Sequence, residues 1–194
     1  MPPVGLAWAY GVLAAVLIAA SVTDIRCGKI HNVVTYPAVF AGLVGHTVVG
    51  GLMGDGGRTT LGLAGAALGL AVGFGPLLLV WLAGGIGGGD AKLMAAVGAL
   101  TGWNFTIRAM FCGFLVAALM AVFVMVRLRI VRRTLGRIFR SIYLALVPGK
   151  GAVGPPTTES PKIAFGLALC IGSAVALVDT LLGGPMALRL LVGM

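Results

Sequence analysis

The sequence predicts an all-α, polytopic membrane protein with about six transmembrane helices and an amphipathic helix on the cytoplasmic surface. Apolar residues make up 59% of its 194 positions, and charged side chains only 10%. Soluble domains carry roughly a quarter charged residues. Mean hydropathy is +1.09. Apolar runs of about 20 residues recur along the chain, each long enough to cross a hydrocarbon layer roughly 30 Å thick. Together these exclude a soluble globular enzyme, a disordered chain and a disulfide-stapled secreted scaffold. Glycine, at 32 residues, lacks the third-residue period of collagen and reads as close helix packing or bent backbone.

The elements follow in order. Val4 to Val22 is uncharged, too long for a cleavable signal peptide and without its basic start, so it is read as a retained span. Thr23 to Asn32 is a polar turn in which Asn32 caps the second span, Val33 to Met53. A polar loop, Gly54 to Arg58, leads to a third span, Thr59 to Ala83, where Gly65, Gly69 and Gly73 recur every fourth residue as a packing stripe. Gly84 to Asp90 is a glycine run. The fourth span, Ala91 to Phe105, is short, and is either thin or begins inside the protein. Ile107 to Val126 and Ile163 to Leu182 are the fifth and sixth, before a short apolar tail, Met186 to Met194.

One membrane-embedded domain, 1–194, is expected, with a basic helix and a Gly/Pro linker over 127–162. Leu128, Val131, Leu135, Ile138, Phe139, Ile142 and Leu146 recur at helical spacing. Arg129, Arg133, Arg137 and Arg140 gather on the other face, the pattern of a helix on anionic lipid. The net charge of +9 raises nucleic acid as a partner, but the arginines adjoin apolar spans, which favours lipid.

Cys27, Cys112 and Cys170 form no CxxC pair, and His31 and His46 show no ligand spacing, so no metal site is expected. Cys112 and Cys170 read as small core residues, His31 as a turn residue and His46 as a packed helix residue. With the N-terminus outside, eleven of the fourteen Lys and Arg residues fall on inner loops and three on outer ones, which fits the positive-inside tendency. That orientation brings Asp24, closing the first span, and Asp90, opening the fourth, to one cytoplasmic face.

Of the five acidic residues, Asp55, Glu159 and Asp179 read as solvated charges. Asp24 and Asp90 lie at the edge of the hydrocarbon, where a charge is costly and usually functional. They could instead pair with Arg26, Lys29 or Lys92, or cap a helix. If the two carboxyls meet, mutual repulsion keeps one protonated where the other is ionised. The ionised member can then take a proton from water while its partner donates to a carbonyl or a leaving amine. That is aspartic peptide hydrolysis, which needs no metal or cofactor. The glycines before Asp90 leave room for an extended peptide and permit backbone angles off the helical path. A phosphate-cradle reading of Gly84 to Gly89 fails, because no Lys-Ser/Thr and no βαβ context follow.

These residues resemble the type IV prepilin peptidases, the GxGD-type membrane aspartic peptidases. Gly87-Gly88-Gly89-Asp90 with Ala91-Lys92-Leu93 is similar to the GxGD signature. Asp24-Ile25-Arg26 through Lys29-Ile30-His31-Asn32 is similar to the first aspartate motif, and Ile163 to Leu169 to a third, weaker segment. The resemblance implies Asp24 and Asp90 as catalytic residues, and Gly87, Gly88, Gly89, Lys92 and Asn32 as residues that shape the site or bind substrate. It implies cleavage of the basic leader of prepilin-like proteins at the inner face of a bacterial cytoplasmic membrane. It resembles the short form that serves tight-adherence (Flp-type) pili, without methyl transfer. His31 and Ala164 stand where the family has Pro, a change expected to alter the first helical turn more than the chemistry. The competing reading is a non-enzymatic transporter or pilus-assembly subunit. A transporter would hold its carboxylates near the middle of the bilayer.

Overall fold

The computed structural model describes residues 6–54, 60–129, 136 and 165–182. The basic helix and linker expected over 127–162, with Arg133, Arg137 and Arg140, therefore lie outside the described residues apart from Arg127 to Arg129 and Gly136. So do Asp55, Glu159 and the apolar tail. The chain divides into one unit of Met1–Val116 with Ala164–Met194 and a second of Ala117–Ile163.

All described regular structure is helical, as predicted: α1 (Ala7–Cys27), α2 (Asn32–Gly50), α3 (Gly62–Leu82), α4 (Gly88–Thr101), α5 (Trp103–Arg127) and α6 (Phe165–Leu181). Four of them, α1, α2, α3 and α5, are long and apolar enough to cross a membrane, and the protein is a polytopic membrane protein. Large apolar side chains, such as Ile18, Phe40, Leu79 and Phe123, are exposed along these helices, which suits a lipid solvent.

Helix α4 differs in kind. Its 14 residues span only about 21 Å, too short to cross, yet every residue from Asp90 to Thr101 except Lys92 is buried. A helix apolar on all sides belongs inside protein, and α4 packs between α2 and α3 while also touching α1 and α6. Glycine makes this possible. A Cβ on Gly69 of α3 would strike the Gly98 carbonyl of α4, and one on Gly98 would strike the Gly69 carbonyl. The buried stripe of α3 is Gly62, Ala66, Gly69, Gly73 and Leu77. Gly65 is half-buried and not part of it, and the atoms nearest its open side belong to Leu61 one turn back.

Three boundaries differ from expectation. Helix α1 runs through the expected polar turn to Cys27 and stops at Gly28, whose φ of 62° lets its N–H close on the Asp24 carbonyl at 2.8 Å. Asn32 is the first residue of α2 rather than its cap. His31 holds the cap position, with φ −80°, and no side chain closes the helix. The fourth run breaks at Gly102 (φ 78°), so α5 begins at Trp103. His46 is a packed helix residue as expected. It is buried, its Nε2 hydrogen-bonds the Leu100 carbonyl at 2.7 Å, and its ring lies against Trp8. This pairs one of the carbonyls that α4 leaves free at its C-terminus.

Within the first unit α5 meets α6 where Gly113 and Gly172 abut. Asp179, expected to be solvated, is buried on α6. The second unit contains the end of α5 and a turn in which Arg129 adopts φ 54°.

Candidate active site

Three helix ends converge on Asp24 and Asp90. Asp24 lies in the last turn of α1, and its backbone is fixed by the Gly28 cap. Asp90 is the third residue of α4, and its Oδ2 accepts the Gly87 N–H at 3.2 Å, one half of a capping box. Each is only 8% exposed. The first turn of α6 supplies the third wall. The Leu167 N–H donates to Asp24 Oδ2 at 2.8 Å. A Cβ on Gly166 would lie 2.9 Å from Asp90 Oδ1 and 3.0 Å from Asp24 Oδ2. The two oxygens are therefore separated by no more than those two lengths laid end to end, so the carboxyls of residues 66 positions apart in sequence lie close together.

Burial, and then the Asp24 carboxylate beside it, push the Asp90 carboxyl up from 3.8 to about 6, against a smaller opposing effect of the Gly87 N–H. Asp90 lies outside the four spanning helices. The folded chain thus keeps this proton at pH values where the unfolded chain has lost it. Its contribution to stability falls as pH rises from 3.8 to about 6 and stays low above that. Asp90→Asn retains an oxygen acceptor for Gly87 and removes the charge. It is expected to stabilise the detergent-solubilised protein at neutral pH by about 1–2 kcal/mol after solvent screening is allowed for, read as a higher thermal unfolding midpoint. Below the ordinary carboxyl range the difference vanishes, and equal midpoints at neutral pH would contradict the electrostatic account.

The glycine run acts through close approach rather than unusual angles. Gly87 has φ −75°, and positive φ occurs only earlier, at Gly84. Asp90 accordingly sits on a regular helix, not off its path. A Cβ on Gly89 would press on Ile30 at 3.2 Å, and one on Gly88 on the Trp81 indole at 3.1 Å. Lys92 does not pair with either carboxylate. Its Nζ donates to Asn32 Oδ1 at 3.0 Å and lies 5.1 Å from the centre of the Tyr36 ring, tying α4 to the first turn of α2. Arg26 and Lys29 are exposed.

All the sequence-predicted site residues therefore gather at this end of the helices. Sequence reasoning missed Gly166, the Leu167 amide and Ile30. The resemblance of Ile163 to Leu169 to a family segment was the available signal, but it named no residue. At His31 the departure from proline is mild in backbone terms, since φ −80° lies in the range a proline ring imposes. Ala164 lies outside the described residues. No group of three or more His, Cys, Asp or Glu side chains placed to hold a metal occurs among the described residues.

The family model for the type IV leader peptidase family matches residues 11–124, a stretch that contains Asp24, Asp90 and the glycines before it. No curated protein and no solved structure matches the chain.

Proposed function

The chain belongs to the type IV leader peptidase family, and from that premise we propose that it is a membrane-embedded aspartic endopeptidase with Asp24 and Asp90 as its catalytic pair. The observation that carries the proposal is the convergence of both carboxyls on Gly166. Asp24, as carboxylate, takes a proton from water, and the resulting oxygen nucleophile attacks the scissile carbonyl. Asp90, which holds its proton more tightly than an ordinary aspartate, donates to the carbonyl oxygen. Collapse of the tetrahedral species transfers a proton to the departing amine and releases two peptides. The reaction proposed is hydrolysis alone.

The substrate proposed is a type IV prepilin-like precursor, cut between its basic leader and its apolar stalk at the cytoplasmic face of a bacterial inner membrane. The eleven-to-three bias of Lys and Arg toward the side that holds Asp24 and Asp90, eight of them in 127–162, supports this orientation. Asp24 lies in the last turn of the spanning helix α1, which supports a peptidase at the membrane edge over a mid-bilayer transporter. Arg129, Arg133, Arg137 and Arg140 are proposed to bind anionic lipid, and Gly87, Gly88, Gly89, Lys92 and Asn32 to shape the site or bind substrate.

Co-expression with such a precursor is expected to give a product whose N-terminus begins just before the apolar stalk. A precursor that retains its leader would overturn the reading. Orientation has its own check in Cys27, which is exposed one turn beyond Asp24. A membrane-impermeant thiol reagent is expected to modify it in inside-out vesicles and not in intact cells, with Cys27→Ser as the control. The reverse pattern would place the site on the outer face.

A further inference from the structure

We propose that Ile30, in the short connection between α1 and α2, is a positioning residue for the carboxyl pair: its side chain bridges the first turns of α4 and α6 and shields Asp24 and Asp90 from bulk water. The inference rests on the peptidase reading for the reaction it serves, although the contacts and the proton titration stand apart from it.

Burial marks Ile30 first. Between Asp24 and Thr35 it is the one buried residue, 8% exposed, while Gly28, Lys29, His31 and Asn32 around it are exposed. Gly28, at φ 62°, ends α1, and the extended His31 opens α2. Between them the chain turns Ile30 inward.

Two glycines receive it. A Cβ on Gly89, the residue before Asp90, would lie 3.2 Å from Ile30 Cβ. A Cβ on Gly166 would lie 2.8 Å from Ile30 Cδ1, 2.9 Å from Asp90 Oδ1 and 3.0 Å from Asp24 Oδ2. The far end of the isoleucine and both carboxyls thus crowd one side of Gly166, where a methyl would collide with all three. An isoleucine cannot donate to a carboxylate, so its contact withholds solvation from the charged form. Asp24 is compensated by the Leu167 N–H at 2.8 Å. Asp90 receives the Gly87 N–H at the longer 3.2 Å. Burial, ahead of the Asp24 charge, is the larger cause of its raised affinity for a proton. Shielding therefore keeps the proton on the acid that must donate it.

The titratable groups on the elements packed around the pair are few. Arg26, Cys27 and Lys29 at the end of α1 are exposed, and so is His31 at the start of α2. His46 of α2 is held at the opposite end of α4 by the Leu100 carbonyl. Lys92 of α4 is engaged by Asn32 and Tyr36 of α2. Helix α3 carries no titratable side chain. On α6, Cys170 is buried and acts on both carboxyls, and Asp179 lies near the far end.

Infrared titration of the full-length protein in detergent tests the shield without substrate. The carboxyl band lost in Asp90→Asn reports the proton of that residue, with a midpoint expected at about 6 in the parent. Ile30→Thr opens the contact and adds a hydroxyl, and should lower the midpoint by about one pH unit. Ile30→Val has the shape of the Thr variant without its hydroxyl and should lower it less. Ile30→Leu keeps the apolar volume and should stay near the parent. An unmoved midpoint in Ile30→Thr would overturn the proposal, as would an equal fall in Ile30→Leu. Ile30→Val removes only Cδ1, a mild truncation for a buried side chain. It is expected to fold, and should Ile30→Thr not fold, an unmoved midpoint in Ile30→Val overturns the proposal in its place.

Activity gives the second readout, with a synthetic peptide of basic leader plus apolar stalk as probe. The alkaline limb of kcat/KM should move to lower pH in Ile30→Thr by the same amount as the band. A side chain that merely packs would lower yield and turnover and leave the limb in place, a result that would overturn the proposal. A band that moves in a protein whose parent form does not cut the peptide would sustain the shield and sink the peptidase reading instead.

Discussion

Exchanging Asp24 or Asp90 for Asn is expected to lower cleavage of a prepilin-type precursor by at least about a thousandfold, because residues that act as one catalytic unit fail together. The double variant should be no worse than either single one. That non-additivity separates a shared reaction from two independent structural roles, whose effects would add. Neither substitution should empty the membrane of protein. Asn at 24 still accepts from the Leu167 amide, and Asn at 90 still accepts from Gly87. The measurement is precursor and product followed on a gel at matched protein levels. A variant that trims at the parent rate would end the dyad assignment, and loss of both protein and product would show the pair to be structural. Coupled with the expected rise in thermal midpoint for Asp90→Asn, loss of activity with gain of stability is the pattern of a group kept at a cost for its chemistry.

Much of this arrangement was legible in the chain, and the parts that were not share a cause. The six described helices and their order follow from the apolar runs, because a lipid solvent demands self-satisfied helices, and four of them are long and apolar enough to cross. Asp24 and Asp90 stand out because so few charges are present at all. Which residues touch is a different question. The stripe of α3 passes through Gly62 and Ala66 rather than Gly65, since a helix face turns with each residue and a four-residue repeat drifts off it. Asn32 looked like a cap from its place in the chain, yet its carboxamide is taken by Lys92, 60 residues away. Asp179 read as solvated because nothing local marks its burial. Gly166 was invisible as a site residue because its part lies in what a side chain would have displaced.

The same logic makes the α3–α4 contact the most sensitive point of the fold. Gly98→Leu is expected to cost about 3 kcal/mol or more, because even the first carbon of the new side chain would strike the Gly69 carbonyl, and a backbone cannot step aside as a side chain can. In lipid no hydrophobic force pulls these helices together. Close van der Waals approach does that work, and Gly98→Leu removes it directly. Helix α4 depends on the contact more than the spanning helices do, since it is too short to be held by the bilayer and is buried on every side. Eight residues separate Gly98 from Asp90, or about 12 Å along the helix, so tilting α4 at one end moves the carboxyl at the other. Gly98→Leu should therefore lose both membrane yield and cleavage. Gly11→Ala and Gly75→Ala, whose new methyls meet nothing within 4 Å, should lose neither. Thermal unfolding in detergent and precursor processing in cells check the two halves. If Gly98→Leu were as stable as Gly75→Ala, the short helix would owe its place to something other than its glycine contact with α3.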